Sequence, residues 1–255
     1  MITHIISGAL YIVGAMSFLF IGISTIILTY FFKPRQYDNI VKWLCRFLLR
    51  SMFIRVKTIG REKPDKNQTY LFMSNHVNIF DVFILNGYIP NFARGVELEK
   101  HFSWPVWGKV TSRFGNIPIS QTRLLSAMDS LRRAEQAINN GTSIIILPEG
   151  HRTRDGKLLP FMRGPFMLAL KTKTDIVPMA MVGAYDIKKV THWLVKPGTI
   201  TLVFGDIIRY QDFKQMNSKQ LKEFVKNQIQ RLIDNHSTSA KQGMIFDGSK
   251  QHHPH

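Results

Sequence analysis

The chain has 255 residues, long enough for one sizeable core with a small attached module. Its single cysteine, Cys45, excludes an internal disulfide and a cysteine metal cluster, and its nine histidines show no metal-ligand spacing, so no metal is expected. Lys and Arg number 34 against 17 Asp and Glu, and this net charge of +17 calls for an acidic partner, either nucleic acid or anionic lipid.

The first segment favours lipid. After the initial Met, ITHIISGALYIVGAMSFLFIGISTIILTYFF contains no Lys, Arg, Asp or Glu, which predicts a membrane-associated helix. It lacks the basic start and A-x-A-like end of a cleaved signal peptide, so it is expected to be retained. Gly8, Gly14 and Gly22, with several Ser and Thr, allow a bend or close packing against a neighbour. Spanning the bilayer and immersion in one leaflet both fit this stretch. Lys33 and Arg35 follow it, and then YDNIVKWLCRFLLRSMF, where Val41, Leu44, Leu48 and Met52 recur at helical spacing beside Lys42, Arg46 and Arg50. This second segment reads as an amphipathic helix in the interface, its basic residues toward anionic membrane lipid. The positive-inside bias then puts the rest of the chain, and any active site in it, on the cytoplasmic face of the cell membrane.

From about residue 54 short strands alternate with helices, which predicts an α/β fold: a mixed central sheet flanked by helices, behind an N-terminal membrane-associated helical segment. The strands are IRVKTIG, YLFMSN, SIIILP, DIVPMAMVGA and TITLVFGDII, of which SIIILP and VPMAMV are apolar throughout and therefore central. DVFILNGY and GPFMLALKTK read as helices, and Leu124, Met128, Leu131, Ala134 and Ile138 form the apolar stripe of another that stops at NNG. The last helix starts at Asn217, with Gln220 as capping-box partner, and buries Leu221, Phe224, Val225, Leu232 and Ile233. Beyond Asn235 no period remains. The expected division is residues 1–54 as membrane-associated helices, 55–235 as the principal domain and 236–255 as a disordered tail.

Within this pattern, SNHVNIFD places His76 five positions ahead of Asp81. Five residues are roughly 140° apart on a helix and on opposite faces of a strand, so no regular element pairs them. A strand ending near Asn75, a turn at His76 and a helix beginning near Phe80 do. Asp81 then either holds one imidazole nitrogen, leaving the other as a general base, or merely favours the positive end of the helix. A second stretch, LPEGHRTRDGKLLPFMRGP, follows the central strand SIIILP at the edge where α/β sheets present ligand sites. Glu149, Gly150, Arg152, Arg154, Lys157 and Arg163 lie there, with a glycine that admits close backbone approach and guanidinium forks suited to a phosphate.

Together these stretches resemble the membrane-bound glycerolipid acyltransferases. Asn75, His76 and Asp81 match the N-H-x-x-x-x-D motif of that family. Leu147, Pro148, Glu149, Gly150 and Arg152 match a hydrophobic residue followed by P-E-G-T-R-S, with His151 and Thr153 replacing Thr and Ser, and Val177–Pro178 matches its apolar V-P pair. The matches run in order over residues 55 to 210. One motif departs: where members using lysophosphatidate read G-x-x-x-I-D-R, this chain reads GNIPISQTR, with Ser120 and Gln121 at the Asp and Arg positions and Arg123 close by.

The resemblance implies that His76 removes a proton from an acceptor hydroxyl while Asp81 fixes its tautomer, and that the oxygen attacks an acyl thioester directly. It implies substrate contacts at Asn75, Arg123, Glu149, Gly150, Arg152 and Arg154, with arginines on the phosphate of 1-acylglycerol 3-phosphate. The thioester of acyl-CoA or of an acyl carrier protein is the co-substrate and no cofactor is implied. Another lysolipid acceptor and a non-catalytic module for anionic lipid are the alternatives. No nucleic-acid motif occurs, and nucleic acid is not an expected partner.

Overall fold

A computed structural model describes residues 2–120 and 124–247. The chain begins with helices α1 (Ile2–Phe31) and α2 (Pro34–Ser51), followed by β1 (Ile54–Ile59), β2 (Leu71–Ser74), α3 (Asp81–Tyr88) and β3 (Ala93–Leu98). Next come α4 (Trp107–Phe114), β4 (Ile117–Ile119), α5 (Leu124–Asn139), β5 (Ser143–Ile146) and α6 (Gly164–Thr172). The remainder comprises β6 (Ile176–Val182), α7 (Ala184–Ile187), β7 (Gly198–Phe204), α8 (Tyr210–Phe213) and α9 (Ser218–Asp247).

The strands form one sheet in the order β1-β7-β6-β2-β5-β3-β4. The β6–β7 pair is antiparallel and the other neighbours are parallel, so the sheet is mixed as expected. The central strands are apolar throughout because they serve two cores. Leu71, Met73, Ile144, Ile146 and Ile176 pack with Phe166, Leu221, Val225 and Ile229 of α6 and α9. Their neighbours in sequence, Phe72, Ile145, Val177 and Met179, point to the opposite face and pack with Leu44, Leu48 and Ile84 of α2 and α3. On α9 the fully buried Leu221, Val225 and Ile229 fall four residues apart, which is one helix face. Asn217 caps that helix, accepting from the Gln220 N–H at 3.0 Å while its own N–H donates to Gln220 Oε1 at 2.8 Å.

Three expectations are corrected. The strands β3 and β4 escaped sequence reading because ARGVEL carries two charges in six residues; Arg94 is nonetheless buried, between the rings of Phe92 and Phe114 at 3.9 and 3.7 Å. The helix α9 continues past Asn235 to Asp247. Its extension lacks proline and contains Ala, Lys and Gln, residues that favour a helix. Residues 248–255 lie outside the described residues. Finally, α2 does not turn all of its basic residues to lipid. Lys42 is 7% exposed and donates to the carbonyls of Pro90 and Asn91 at 3.0 and 2.9 Å, while Ile40, Trp43 and Phe47 form the outward stripe.

The helix α1 is docked lengthwise. Ser7, Leu10, Ser17, Ile21 and Thr25 are buried at intervals of three to seven residues, a stripe on the order of 30 Å long. A Cβ on Gly14 would lie 2.9 Å from Met52 Sδ, and Ser17 Oγ lies 2.9 Å from Ser51 Oγ, so small residues permit the approach. The opposite side, including Ile12, Met16, Leu19 and Ile23, is exposed and apolar. By length and composition α1 is able to cross a membrane. The elements of residues 1–54 share one core with the sheet rather than forming a separate packed unit.

Candidate active site

Three parallel neighbours, β5, β2 and β6, end on the same edge of the sheet. The segments that follow them carry the residues singled out by sequence: Asn75 to Asp81 after β2, Glu149 to Arg154 after β5, and Gly183 onward after β6. The carboxyl edge of parallel strands is where backbone loops are free to build a site.

Asp81 is the first residue of α3 and its side chain is 1% exposed. Oδ2 accepts from the Val77 N–H at 2.6 Å and lies 2.7 Å from His76 Nδ1, and both oxygens accept from the Asn78 N–H. A carboxylate that already accepts from the backbone is aimed before the imidazole arrives. It then holds the proton on Nδ1 and leaves a lone pair on Nε2. The His76 side chain is 23% exposed, so a substrate can reach it. The spacing of five residues follows from this turn.

Glu149 was expected to contact substrate. It is 4% exposed, and both its oxygens are occupied: Oε1 accepts from the His76 N–H at 2.6 Å and Oε2 from the Leu159 N–H at 2.7 Å. Burial pushes its carboxyl up to about 7, against the pull of the two amides. The Thr153 N–H returns a bond to the His76 carbonyl at 2.9 Å. Glu149 and Thr153 thus bracket Arg152 and fix the loop that bears it. Asn75 is likewise a positioning residue. Its amide accepts from the Met181 N–H at 2.8 Å and donates to the Met181 carbonyl at 3.1 Å, tying β2 to β6. Gly150 has φ +70, the left-handed conformation that favours glycine at this turn.

Arg152 and Arg154 are exposed at the edge, whereas Arg163 is directed away, its Nε donating to Ser218 Oγ of α9 at 2.6 Å. Gln121 and Arg123 lie outside the described residues. Sequence reading passed over Asn78, whose Nδ2 donates to the Ala184 carbonyl at 2.6 Å and whose Oδ1 accepts from the Phe80 N–H at 2.9 Å. It also passed over Tyr185, whose hydroxyl donates to the Arg154 carbonyl at 2.7 Å. A polar residue inside an apolar motif was the available signal for Asn78; Tyr185 offered none. Cys45 is buried in α2, and its thiol is pushed up to about 12, so it is unsuited to nucleophilic attack.

The chain matches the Acyltransferase family model over residues 55–182, which includes every motif residue above. It is 26% identical to a 1-acyl-sn-glycerol-3-phosphate acyltransferase of Pseudomonas aeruginosa, over 79% of this chain and 76% of that protein. It is 31% identical to one of Limnanthes douglasii, over 63% of this chain and 57% of that protein. A Cocos nucifera relative is 25% identical, and this chain spans 58% of its length. In fold it is similar to the crystal structure of the 1-acyl-sn-glycerophosphate (LPA) acyltransferase PlsC from Thermotoga maritima, with a TM-score of 0.78 at 19% identity, covering 91% of this chain and 95% of that one. By the extent of the family match and the place of its motifs on the sheet edge, the chain belongs to the acyltransferase family.

Proposed function

We propose that the chain is an O-acyltransferase that moves a fatty acyl group from acyl-CoA, or from an acyl carrier protein, to the free hydroxyl of 1-acylglycerol 3-phosphate, giving phosphatidate for phospholipid synthesis. The observation that carries this reading is the His76–Asp81 pair, 2.7 Å apart, on a loop bonded directly to the loop that presents Arg152. The names of the relatives support the same acceptor.

In this reaction Nε2 of His76 takes the proton of the acceptor hydroxyl as its oxygen attacks the thioester carbonyl. The C–S bond then breaks, and the departing thiolate takes the proton back from the imidazolium. Asp81 stabilises that imidazolium and keeps the ring in place through both steps. A thioester carries a good leaving group, so positioning two substrates and supplying a base account for most of the task, and no cofactor is needed. Arg152 faces the acceptor's phosphate, with Arg154 on the same loop.

The lysolipid acceptor and the acyl chain of the donor both partition into lipid, which suits a site held at a bilayer. The lengthwise docking of α1 and its exposed apolar side support a helix immersed in one leaflet of the cell membrane, with the active site toward the cytoplasm. The test is to offer full-length protein in vesicles one acyl-CoA together with a mixture of lysolipids. Phosphatidate as the main product in mass spectra is expected; release of free thiol without any acylated lipid would reject the reading.

A further inference from the structure

The departure at Ser120 and Gln121 removes one motif arginine from the acceptor-phosphate site, and Arg123, close by in sequence, lies outside the described residues. A phosphomonoester carries close to two negative charges near neutral pH, and binding it away from bulk water takes at least two well-placed cationic donors. Arg152 supplies one. The segment after β6 supplies another cation that no motif predicts.

α7 packs against the loop that carries Arg152. The Tyr185 hydroxyl donates to the Arg154 carbonyl at 2.7 Å, and a Cβ on Gly156 would lie 3.2 Å from the Tyr185 ring. Lys188 follows one helical turn later. Its ammonium donates to the carbonyls of Lys189, at 2.6 Å, and His192, which uses two of its three protons and folds it back over the turn. Partial burial, and then the charge of Arg152, holds this ammonium below the ordinary lysine value. Among the described residues no carboxylate forms an ion pair with Lys188 or Arg152.

The turn is braced from the membrane side. Ser7 Oγ of α1 donates to the Val195 carbonyl at 2.9 Å and accepts from its N–H, and the Tyr11 hydroxyl donates to the Trp193 carbonyl at 2.5 Å. Trp193 is half-exposed and stacks on Tyr11 with ring centroids 6.3 Å apart. Amphipathic aromatics of this kind settle at headgroup depth, so the turn lies where a lysolipid phosphate travels.

We propose that Lys188 is the second cation of the acceptor-phosphate site and, with Arg152, replaces the arginine that this chain lacks at Gln121. This assignment rests on the acyl-transfer reading and adds the residue that makes the site selective for a phosphomonoester.

The test compares Lys188→Gln, which keeps two side-chain N–H donors but removes the charge, with Lys188→Arg, which keeps the charge. The acceptors are 1-oleoylglycerol 3-phosphate and 1-oleoylglycerol-3-phosphocholine in neutral phosphatidylcholine vesicles. A charged hydrogen bond of this type is worth about 10- to 100-fold. Lys188→Gln is expected to raise the KM for the phosphomonoester by that factor, leaving the KM for acyl-CoA and the melting temperature unchanged, while Lys188→Arg recovers most of the loss. An unchanged acceptor KM in Lys188→Gln overturns the proposal. So does an equal loss for both acceptors accompanied by a lower melting temperature, which would make Lys188 a staple of its own turn. A second arm uses inorganic phosphate, titrated calorimetrically into each full-length protein. Weaker phosphate binding by Lys188→Gln supports the site even if the wild-type protein acylates no 1-acylglycerol 3-phosphate, an outcome that would reject only the acceptor reading. Equal phosphate binding by wild type and Lys188→Gln overturns the site.

Discussion

The His76 N–H donates to Glu149 Oε1 at 2.6 Å, so the residue that carries the base and the loop that carries Arg152 are joined through one buried carboxylate. This carboxylate accepts both amides in full only when ionised, because protonation turns one of its two acceptors into a donor facing an N–H. Burial nevertheless raises it from an ordinary 4.5 to about 7. A folded value above the unfolded one means that the native state binds the proton more tightly. Its contribution to stability is therefore full below about 4.5 and is lost as pH rises through about 7. The size of that loss is on the order of 3 kcal/mol. The expected result is that wild-type protein loses stability between pH 5 and 8 more steeply than Glu149→Gln. Over the same range the acyl-transfer rate of the wild type rises, as the strut ionises and accepts both amides. Denaturant titrations of both proteins at several pH values check this; parallel curves would remove the ionisation from the account.

His76→Ala is expected to lower turnover by roughly 100-fold or more, the scale of a positioned general base. Its melting temperature should hardly move, since the ring is partly exposed and the backbone contacts of residue 76 survive. Asp81→Asn behaves differently. An amide places a donor among the N–H groups of Val77 and Asn78 and beside His76 Nδ1, so both tautomer and turn suffer. Turnover falls as far as for His76→Ala, and stability drops by about 1–3 kcal/mol from the unsatisfied buried donors. Near-normal turnover in folded His76→Ala would remove the histidine from the chemistry.

What could be read from sequence follows the separation of the partners. His76 and Asp81 lie in one turn, so flanking apolar runs and a single spacing were enough to place them. The helix Asp81–Tyr88 coincides with DVFILNGY because its start is set by that same local turn. Glu149 meets His76 across 73 positions, and nothing in either segment records that both carboxylate oxygens are spent on backbone amides. Its charge suggested a ligand and its burial makes it a strut. Lys42 and Arg94 misled for a related reason. Charge in sequence reads as exposure, whereas here Asp38 and the rings around Arg94 make burial tolerable. Lys188 carries no motif at all and gains meaning only from the antiparallel return of β7, which folds the turn after β6 back beside the Arg152 loop.

Asp38 holds the other side of the molecule. Its carboxylate lies 2.7 Å from Lys42 Nζ and 3.6 Å from Arg94 Nη1, all three side chains being buried between α2 and the start of β3. Asp38→Ala leaves two buried cations without a counter-charge, and breaking a buried pair in this way costs about 3–5 kcal/mol. The expected outcome is a large fall in unfolding free energy for Asp38→Ala, much of it recovered in the triple change Asp38→Leu, Lys42→Met, Arg94→Met, which removes all of the charge together. A stability loss under about 1 kcal/mol for Asp38→Ala, the range of a surface pair, would show that the network is hydrated rather than dry.

Membrane attachment needs a test that spares the core. Deleting residues 1–54 removes Leu44, Leu48 and Leu49, which lie 0–3% exposed against the sheet, so such a protein is expected to unfold rather than merely detach. The outward side of α1 offers cleaner positions. Ile12, Met16 and Ile23 are 64%, 67% and 53% exposed, so their side chains contribute little to the fold. In lipid each buries apolar surface worth roughly 1.5–3 kcal/mol, and a carboxylate at the same depth reverses the sign of that term. The triple change Ile12→Glu, Met16→Glu, Ile23→Glu is therefore expected to leave the melting temperature in detergent within a few degrees of wild type. Sedimentation with phosphatidylcholine vesicles should fall by at least 100-fold in partition coefficient. Acyl transfer to lysolipid presented in those vesicles should fall with it, while transfer to the same lysolipid in detergent micelles, where delivery no longer depends on α1, stays near normal. If the triple variant sediments as the wild type does, the outward stripe of α2, formed by Ile40, Trp43 and Phe47, holds the protein to the membrane without α1.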